Sequence, residues 1–167
     1  ARVFYANSMA VRMGCIYARH RIGCNRGVNG IEGSLSTAAG YSLLSDGNVY
    51  CVIGDLSFFY DRNALWNSRL RGNFRILLFN NGGGGIFEKF SAIADAADAL
   101  NVKAQYRTTA RGFCSDNGID YLSVADDSHL DEGLRWLTGN ASGPRLLEVV
   151  SDSSTDWTNY ENYFNTL

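Results

Sequence analysis

Strand-length runs of apolar residues recur along the chain, each separated from the next by a segment of helical period. No other feature restricts the fold so tightly. Residues 22–24, 49–53, 74–79, 121–124 and 145–150 read as strands, and 8–19, 33–45, 61–71, 108–117, 128–138 and 157–164 read as helices. Strands apolar on both faces need cover on both, and an intervening helix returns the chain to the end it started from. The pattern therefore predicts an α/β fold: a doubly wound, mostly parallel sheet of about five to six strands with helices on both faces. Sheets of this kind take ligands at the carboxyl ends of their strands.

Length suits one domain, which at 167 residues buries about 70% of the surface of the unfolded chain. Because the chain opens on Ala1 and enters structure at once, it reads as one domain of a longer multidomain protein. A net charge of -2 supplies no general attraction to nucleic acid or to an anionic membrane, so neither is an expected partner. No apolar run approaches the roughly 20 residues that span a bilayer, and no basic-then-apolar leader opens the chain; the expected location is the cytoplasm. Cys15, Cys24, Cys51 and Cys114 lack the spacing of a zinc site or a redox dithiol and read as reduced thiols, Cys24 and Cys51 within strands. The alanine-rich segment 92–104 reads equally as a helix or as a mobile lid.

Two stretches carry the chemistry. In "VIGDLS" a buried strand ends in Gly54 and Asp55, and in "FNNGGGGIF" another ends in Asn80, Asn81 and four glycines. Between them a helix of about 11 residues runs out roughly 16 Å, and a strand of about 6 residues returns roughly 20 Å. Asp55 and Asn81 are thus expected at the same sheet edge, about 4.8 Å apart if the strands are neighbours. A carboxylate, an amide oxygen and a nearby main-chain carbonyl are hard oxygen ligands of the kind magnesium takes, with phosphate and water completing the octahedron. Glycines at 82–85 would let the backbone approach such a group. Taken singly, Asp55 reads as a helix cap and the glycines as a slack loop.

Gly54-Asp55-Leu56, then 24 residues, then Asn81 as the second of an Asn-Asn pair, resembles the cofactor motif of thiamin diphosphate-dependent decarboxylases and carboligases. The usual third residue of that motif is glycine, where this chain has Leu56. "ANSMAVR" at 6–12, "NRGVNGIEGSLSTAAG" at 25–40, "GDLSFFYDRNAL" and "NNGGGGIF" narrow the resemblance further. They are similar to the C-terminal cofactor domain of the 2-succinyl-5-enolpyruvyl-6-hydroxy-3-cyclohexene-1-carboxylate synthases of menaquinone biosynthesis. "TTARGFCSDNGIDYL" and "PRLLEVV" extend the likeness more loosely beyond Glu88.

That resemblance implies thiamin diphosphate with Mg2+ or Mn2+, the metal on Asp55, the Asn81 side chain and the Gly83 carbonyl. It implies that Gly54, Leu56 and Ser57, with amides near Gly85 and Ile86, hold the diphosphate. Ile31 would be the wedge that bends the cofactor, and the Asn29 carbonyl would accept from its 4'-amino group. Asn7, Ser8, Arg12 and Arg26 match substrate-contacting positions. The family decarboxylates 2-oxoglutarate and adds the succinyl semialdehyde unit to isochorismate; both substrates carry two carboxylates, which suit guanidinium forks. The glutamate that works on the pyrimidine N1' belongs to a separate pyrimidine-binding domain, usually of a neighbouring subunit. This chain alone is accordingly expected to be inert, and the full-length protein to be a homo-oligomer. The alternatives are another thiamin diphosphate-dependent 2-oxoacid decarboxylase or carboligase, and a nucleotide-binding module without chemistry. Against the last, neither GxGxxG nor GxxxxGK[ST] occurs.

Overall fold

Each buried run hands the chain to a helix, so successive strands start at the same end of one sheet. The computed structural model describes residues 1–25, 27, 30–89 and 102–166. Its strands are β1 (Arg2–Tyr5), β2 (Ile22–Gly23), β3 (Val49–Gly54), β4 (Phe74–Asn80), β5 (Asp120–Val124) and β6 (Arg145–Val150). Its α-helices, among the described residues, are α1 (Met9–Tyr17), α2 (Ser34–Leu43), α3 (Asp55–Asp61), α4 (Arg111–Asp116), α5 (Asp127–Thr138) and α6 (Ser153–Asn165). Short 3-10 turns occupy Arg62–Trp66 and Gly85–Lys89. The strand order is β2-β1-β3-β4-β6-β5, and every pairing is parallel. No helix among the described residues is long and apolar enough to cross a membrane.

One face of the sheet buries Val49, Cys51, Ile53, Phe74, Ile76 and Leu78 under Leu35 and Ala38 of α2, Phe58 of α3 and Cys114 of α4. The other sets Leu77, Leu122 and Leu147 against Leu130, Leu134 and Leu137 of α5. Truncating a fully buried leucine such as Leu146 or Leu147 to alanine costs about 2–5 kcal/mol, transfer and cavity together. Chain direction reverses between β1, whose crossover leads outward to β2, and β3, whose crossover leads the other way to β4. The crevice at that switch point opens at the carboxyl ends of β1 and β3, where Asn7 and Asp55 stand.

Several local expectations need correction. β1 is absent from the sequence reading: its four residues are exposed or half-buried, and only pairing with β2 and β3 makes them a strand. The helix expected over 61–71 instead starts at Asp55, directly from β3, and has ended by Trp66. There the Asn67 side chain accepts from the Arg69 amide at 3.0 Å, a local turn that competes with helix. α4 covers only 111–116 of the expected 108–117. α6 begins at Ser153, four residues early, because the Asp152 carboxylate accepts from the amides of Ser154 and Thr155. Cys24 falls outside β2, half-buried, and its thiol donates to Asn7 Oδ1 at 3.5 Å. The four cysteines are thiols and not disulfide-bonded. Of the segment 92–104, residues 92–101 lie outside the described residues.

Candidate functional site

β3 and β4 are neighbours in register Gly54↔Phe79, which sets Asp55 opposite Asn80 and one residue short of Asn81. Asp55 is 4% exposed. Its Oδ1 accepts from the Leu56 amide at 2.6 Å and its Oδ2 from the Gly83 amide at 2.9 Å. Burial raises its pKa above the ordinary carboxylate value, while hydrogen bonds from the Tyr106 hydroxyl and the amides of Leu56, Gly83 and Gly82 pull it back. The ion pairs found among the described residues give it no basic partner. A buried carboxylate held only by neutral donors is an incomplete electrostatic arrangement that a cation would complete.

The glycine loop delivers the facing atoms. Gly82 has φ +79 and Gly83 φ +155, and a Cβ on Gly83 would lie 2.8 Å from the Lys103 carbonyl oxygen. Contrary to the sequence reading, these glycines therefore make room first for the chain's own segment 103–106. That segment pairs with them through Gly84 N to Lys103 O at 2.7 Å and Tyr106 N to Gly82 O at 3.1 Å. The Gly83 carbonyl accepts from Gly85 N at 3.1 Å. The amide nitrogen of Asn81 donates to Asp156 of α6 at 3.1 Å, leaving its Oδ1 without a hydrogen bond among the described residues. Gly54 differs from the loop glycines. Its backbone is extended (φ -82, ψ 162), and a Cβ there would meet nothing within 4 Å among the described residues. Neither its conformation nor packing by the described residues calls for glycine at that position.

A strap joins the two sides of the switch point. The Asn7 side chain donates to the carbonyls of Asn25, at 3.1 Å, and of Gly30, while the Ser57 hydroxyl donates to the carbonyl of the next residue, Ile31. Ile31 is thereby held, half-buried, at the first turn of α3. The Ser57 hydroxyl is engaged by that carbonyl, so the part of Ser57 open to a diphosphate is its main chain. Ser8 sits at φ 72, a conformation that costs a non-glycine residue about 1–3 kcal/mol and that clusters at functional sites. Arg12 N reaches Ser8 O at 3.3 Å, so the two share a face of α1, with Arg12 exposed. Arg26 and Asn29 lie outside the described residues.

The candidate donor set at the tips of β3 and β4 is all oxygen: the Asp55 carboxylate, the Gly83 carbonyl and the Asn81 amide oxygen, which has no hydrogen bond among the described residues. It fits a hard divalent ion such as magnesium, and the empty space beside Gly54 fits a group lying close to the backbone. No group of three His, Cys, Asp or Glu suited to a metal occurs among the described residues, so such an ion would depend on amide and main-chain oxygens. His20 and His129 are both exposed. Of the aromatic run 58–60, Phe58 is core and Tyr60 is exposed, while Phe59 packs edge-on to Tyr106.

Four residues at or behind the site escape sequence reasoning: Asn80, Tyr106, Glu148 and Asp156. Only Glu148, a charge inside the apolar run "LLEVV", leaves a local trace. A cleft of about 350 Å³ beside Asn81 and Gly82 is lined also by Arg107, Thr108 and Ser151. Another, about 260 Å³, lies at the opposite end of the sheet between Arg2, Phe4, Arg21 and Tyr41, and holds none of the expected site residues.

Known proteins resemble this chain in sequence and in fold. A synthase named 2-succinyl-5-enolpyruvyl-6-hydroxy-3-cyclohexene-1-carboxylate synthase from Phocaeicola vulgatus is 42% identical over 97% of this chain and 30% of its own length. Its namesake from Bacteroides fragilis is 41% identical over the same shares, and that from Christiangramia forsetii 34% identical over 98% of this chain and 29% of its own. The chain thus spans about 30% of the length of the curated relatives it matches. A Rhodococcus jostii thiamine diphosphate-dependent 4-hydroxybenzoylformate decarboxylase shares the fold, with a TM-score of 0.53 at 24% identity over 69% of this chain and 22% of its own. Residues 7–149, which include the switch-point loops, β3, α3, β4 and the glycine loop, match the family described as thiamine pyrophosphate enzyme, C-terminal TPP binding domain, and the chain belongs to that family.

Proposed function

We propose that this chain is the metal- and diphosphate-binding part of a thiamin diphosphate-dependent carboligase that decarboxylates 2-oxoglutarate and joins the remaining four-carbon unit to isochorismate. The observation that carries this reading is the meeting of Asp55 with Gly83 across the tips of β3 and β4, beside an Asn81 amide whose oxygen is left open. The names of the most similar relatives support the substrate choice.

Asp55, Asn81 and the Gly83 carbonyl would hold Mg2+ or Mn2+. Gly54, Leu56, the main chain of Ser57, and Gly85 and Ile86 would hold the diphosphate. When bound, thiamin diphosphate supplies a carbanion-stabilising centre that the side chains of the protein lack. Ile31, fixed by the Ser57 hydroxyl, would set the bend of the cofactor, and the Asn29 carbonyl would orient its aminopyrimidine. Asn7, Ser8, Arg12 and Arg26 would bind and orient the dicarboxylate substrates at the switch point. The pyrimidine-side glutamate would come from a pyrimidine-binding domain elsewhere in a cytoplasmic homo-oligomer.

Calorimetry on the full-length protein tests the reading. Thiamin diphosphate is expected to bind only with magnesium and not at all in Asp55→Ala, and the Arg12→Ala protein is expected to show a raised KM for 2-oxoglutarate or isochorismate. Magnesium-independent binding, or unaltered kinetics with both dicarboxylates in the Arg12 variant, would overturn the metal assignment or the substrate assignment respectively.

A further inference from the structure

Glu148 lies within β6 with no solvent exposure. Its oxygens meet donors only: Asn80 Nδ2 at 2.6 Å, the Ala110 amide at 3.2 and 3.4 Å, and the Tyr121 hydroxyl. A carboxylate so placed dictates how Asn80 stands, because an amide has one donor end and one acceptor end. Nδ2 is committed to Glu148 and to the Thr108 carbonyl at 2.9 Å. Oδ1 must then face the other way, where it accepts from the Gly82 amide at 3.2 Å and the Tyr106 hydroxyl at 3.4 Å. Both of those groups border Asp55. The Tyr106 hydroxyl has one hydrogen to share between Asn80 Oδ1 and the Asp55 carboxylate, and the residue after Gly82 donates its amide to Oδ2 at 2.9 Å.

We infer that Glu148 is a positioning residue for the glycine loop: by fixing the amide of Asn80 it holds Gly82, Gly83 and Tyr106 against Asp55, and so sets the affinity for metal and diphosphate from the neighbouring strand. This rests on the metal site proposed above. A leucine at 148 would avoid desolvating a charge but would leave the Ala110 amide and the Tyr121 hydroxyl without their acceptor, so the carboxylate serves stability as well. What it adds beyond that is direction. Groups that orient metal ligands by hydrogen bonding, without touching the metal, commonly govern its affinity.

In the full-length protein, Glu148→Gln keeps the volume and puts a donor among donors. Its new NH2 faces either the Ala110 amide and the Tyr121 hydroxyl, which can turn to accept it, or the NH2 of Asn80, and in the second case Asn80 turns its nitrogen toward Gly82. Calorimetry should show the Kd for magnesium-dependent thiamin diphosphate binding rising about 10- to 100-fold. KM for the cofactor should rise with it, while kcat at saturating cofactor stays within about twofold. Tyr121→Phe removes a donor from the other oxygen of the same carboxylate, and is expected to lower the apo-protein Tm without moving Kd. Unchanged affinity in folded Glu148→Gln protein, or an equal loss in Tyr121→Phe, overturns the inference. Should Glu148→Gln fail to fold, Asn80→Ser cuts the same relay at its other end, and unchanged affinity there overturns it equally. A wild-type protein that binds no cofactor with magnesium overturns the proposed metal site and this relay together, an outcome distinct from loss of the relay alone.

Discussion

β4 and β6 carry buried charge toward both ends, and the two ends are finished differently. At the amino end Arg75, 1% exposed, donates to the carbonyls of Gly139, at 2.8 Å, and Gly143, at 3.4 Å. Beside it Arg145 donates to the Trp136 carbonyl at 2.5 Å and lies 4.8 Å from the Trp136 ring centroid. Burial, and then the adjacent Arg145 guanidinium, lower Arg75 below its ordinary pKa. These carbonyls belong to the C-terminal turn of α5 and the loop that follows it, and the dipole of that helix favours cations. Toward the carboxyl end Glu148 and Asp55 are held by amides and hydroxyls, with no side-chain cation beside either among the described residues. The cationic cluster draws its acceptors from the fold itself, though Arg75 Nε and Arg145 Nε keep no hydrogen-bond partner among the described residues. On the proposed reading Asp55 instead awaits a cation, which is how a structural charge would differ from a binding site.

The sharpest way to break that contrast is a crossed pair of substitutions in the full-length protein. Asp55→Asn should weaken magnesium-dependent cofactor binding by about 2–5 kcal/mol, roughly 30-fold to several thousandfold, with a smaller cost to the apo-protein, because relief of a buried charge offsets the NH2 left facing the Leu56 or the Gly83 amide. Arg75→Met should do the reverse. Carbonyls left short of a donor cost about 1–3 kcal/mol of stability, and cofactor affinity should not change. Calorimetric titration beside thermal melts reads both, and a stability loss in Asp55→Asn with binding intact would erase the distinction.

A smaller effect separates two glycines of the site. Gly83→Ala meets a carbonyl oxygen 2.8 Å away at φ +155 and should destabilise the loop by about 1–3 kcal/mol even without cofactor. Gly54→Ala meets nothing and should leave apo stability within about 0.5 kcal/mol, yet weaken cofactor binding, because its methyl group would stand where the diphosphate is proposed. Undiminished affinity in Gly54→Ala would mean that the open space serves no ligand.

The smallest effect concerns the cap of α6, the helix that holds the Asn81 amide. The Ser154 hydroxyl, then the Thr155 amide, keep Asp152 below its ordinary pKa of 3.8. A depressed folded pKa means a contribution fully present above the ordinary value and lost as pH falls through the lower folded one. The side-chain amide of an Asp152→Asn protein also caps the helix but does not titrate. Hydrogen exchange across α6 should therefore lose protection in acid more steeply in the wild type, and identical acid profiles would exclude this role.

Much of the fold was legible because it is written in local periodicity. The apolar runs of β3, β4, β5 and β6 and the turn chemistry between them needed only neighbouring residues, and so did Gly54-Asp55 at the end of a buried strand. That β3 and β4 end side by side was readable, since one crossover of known length separates Asp55 from the two asparagines. β1 was not readable, because its pattern is weak and its partners are distant in sequence. Ser57 was assigned a ligand while the carbonyl that takes its hydroxyl lies 26 residues away. Asn80 and Asn81 look alike in sequence, but Glu148, 68 residues off, claims one, and Asp156, 75 residues off, claims the other.

By itself, then, the amino-acid order determined the α/β layering, the parallel sheet and the convergence of an acidic and an amide side chain at one edge, because periodicity and crossover length are short-range properties. Tertiary structure alone decided which of two adjacent asparagines turns inward, which glycines yield to the chain and which leave open space, and what braces the buried carboxylate. Those outcomes depend on hydrogen bonds between strands and helices far apart in sequence, whose donors and acceptors acquire direction only once the sheet has closed.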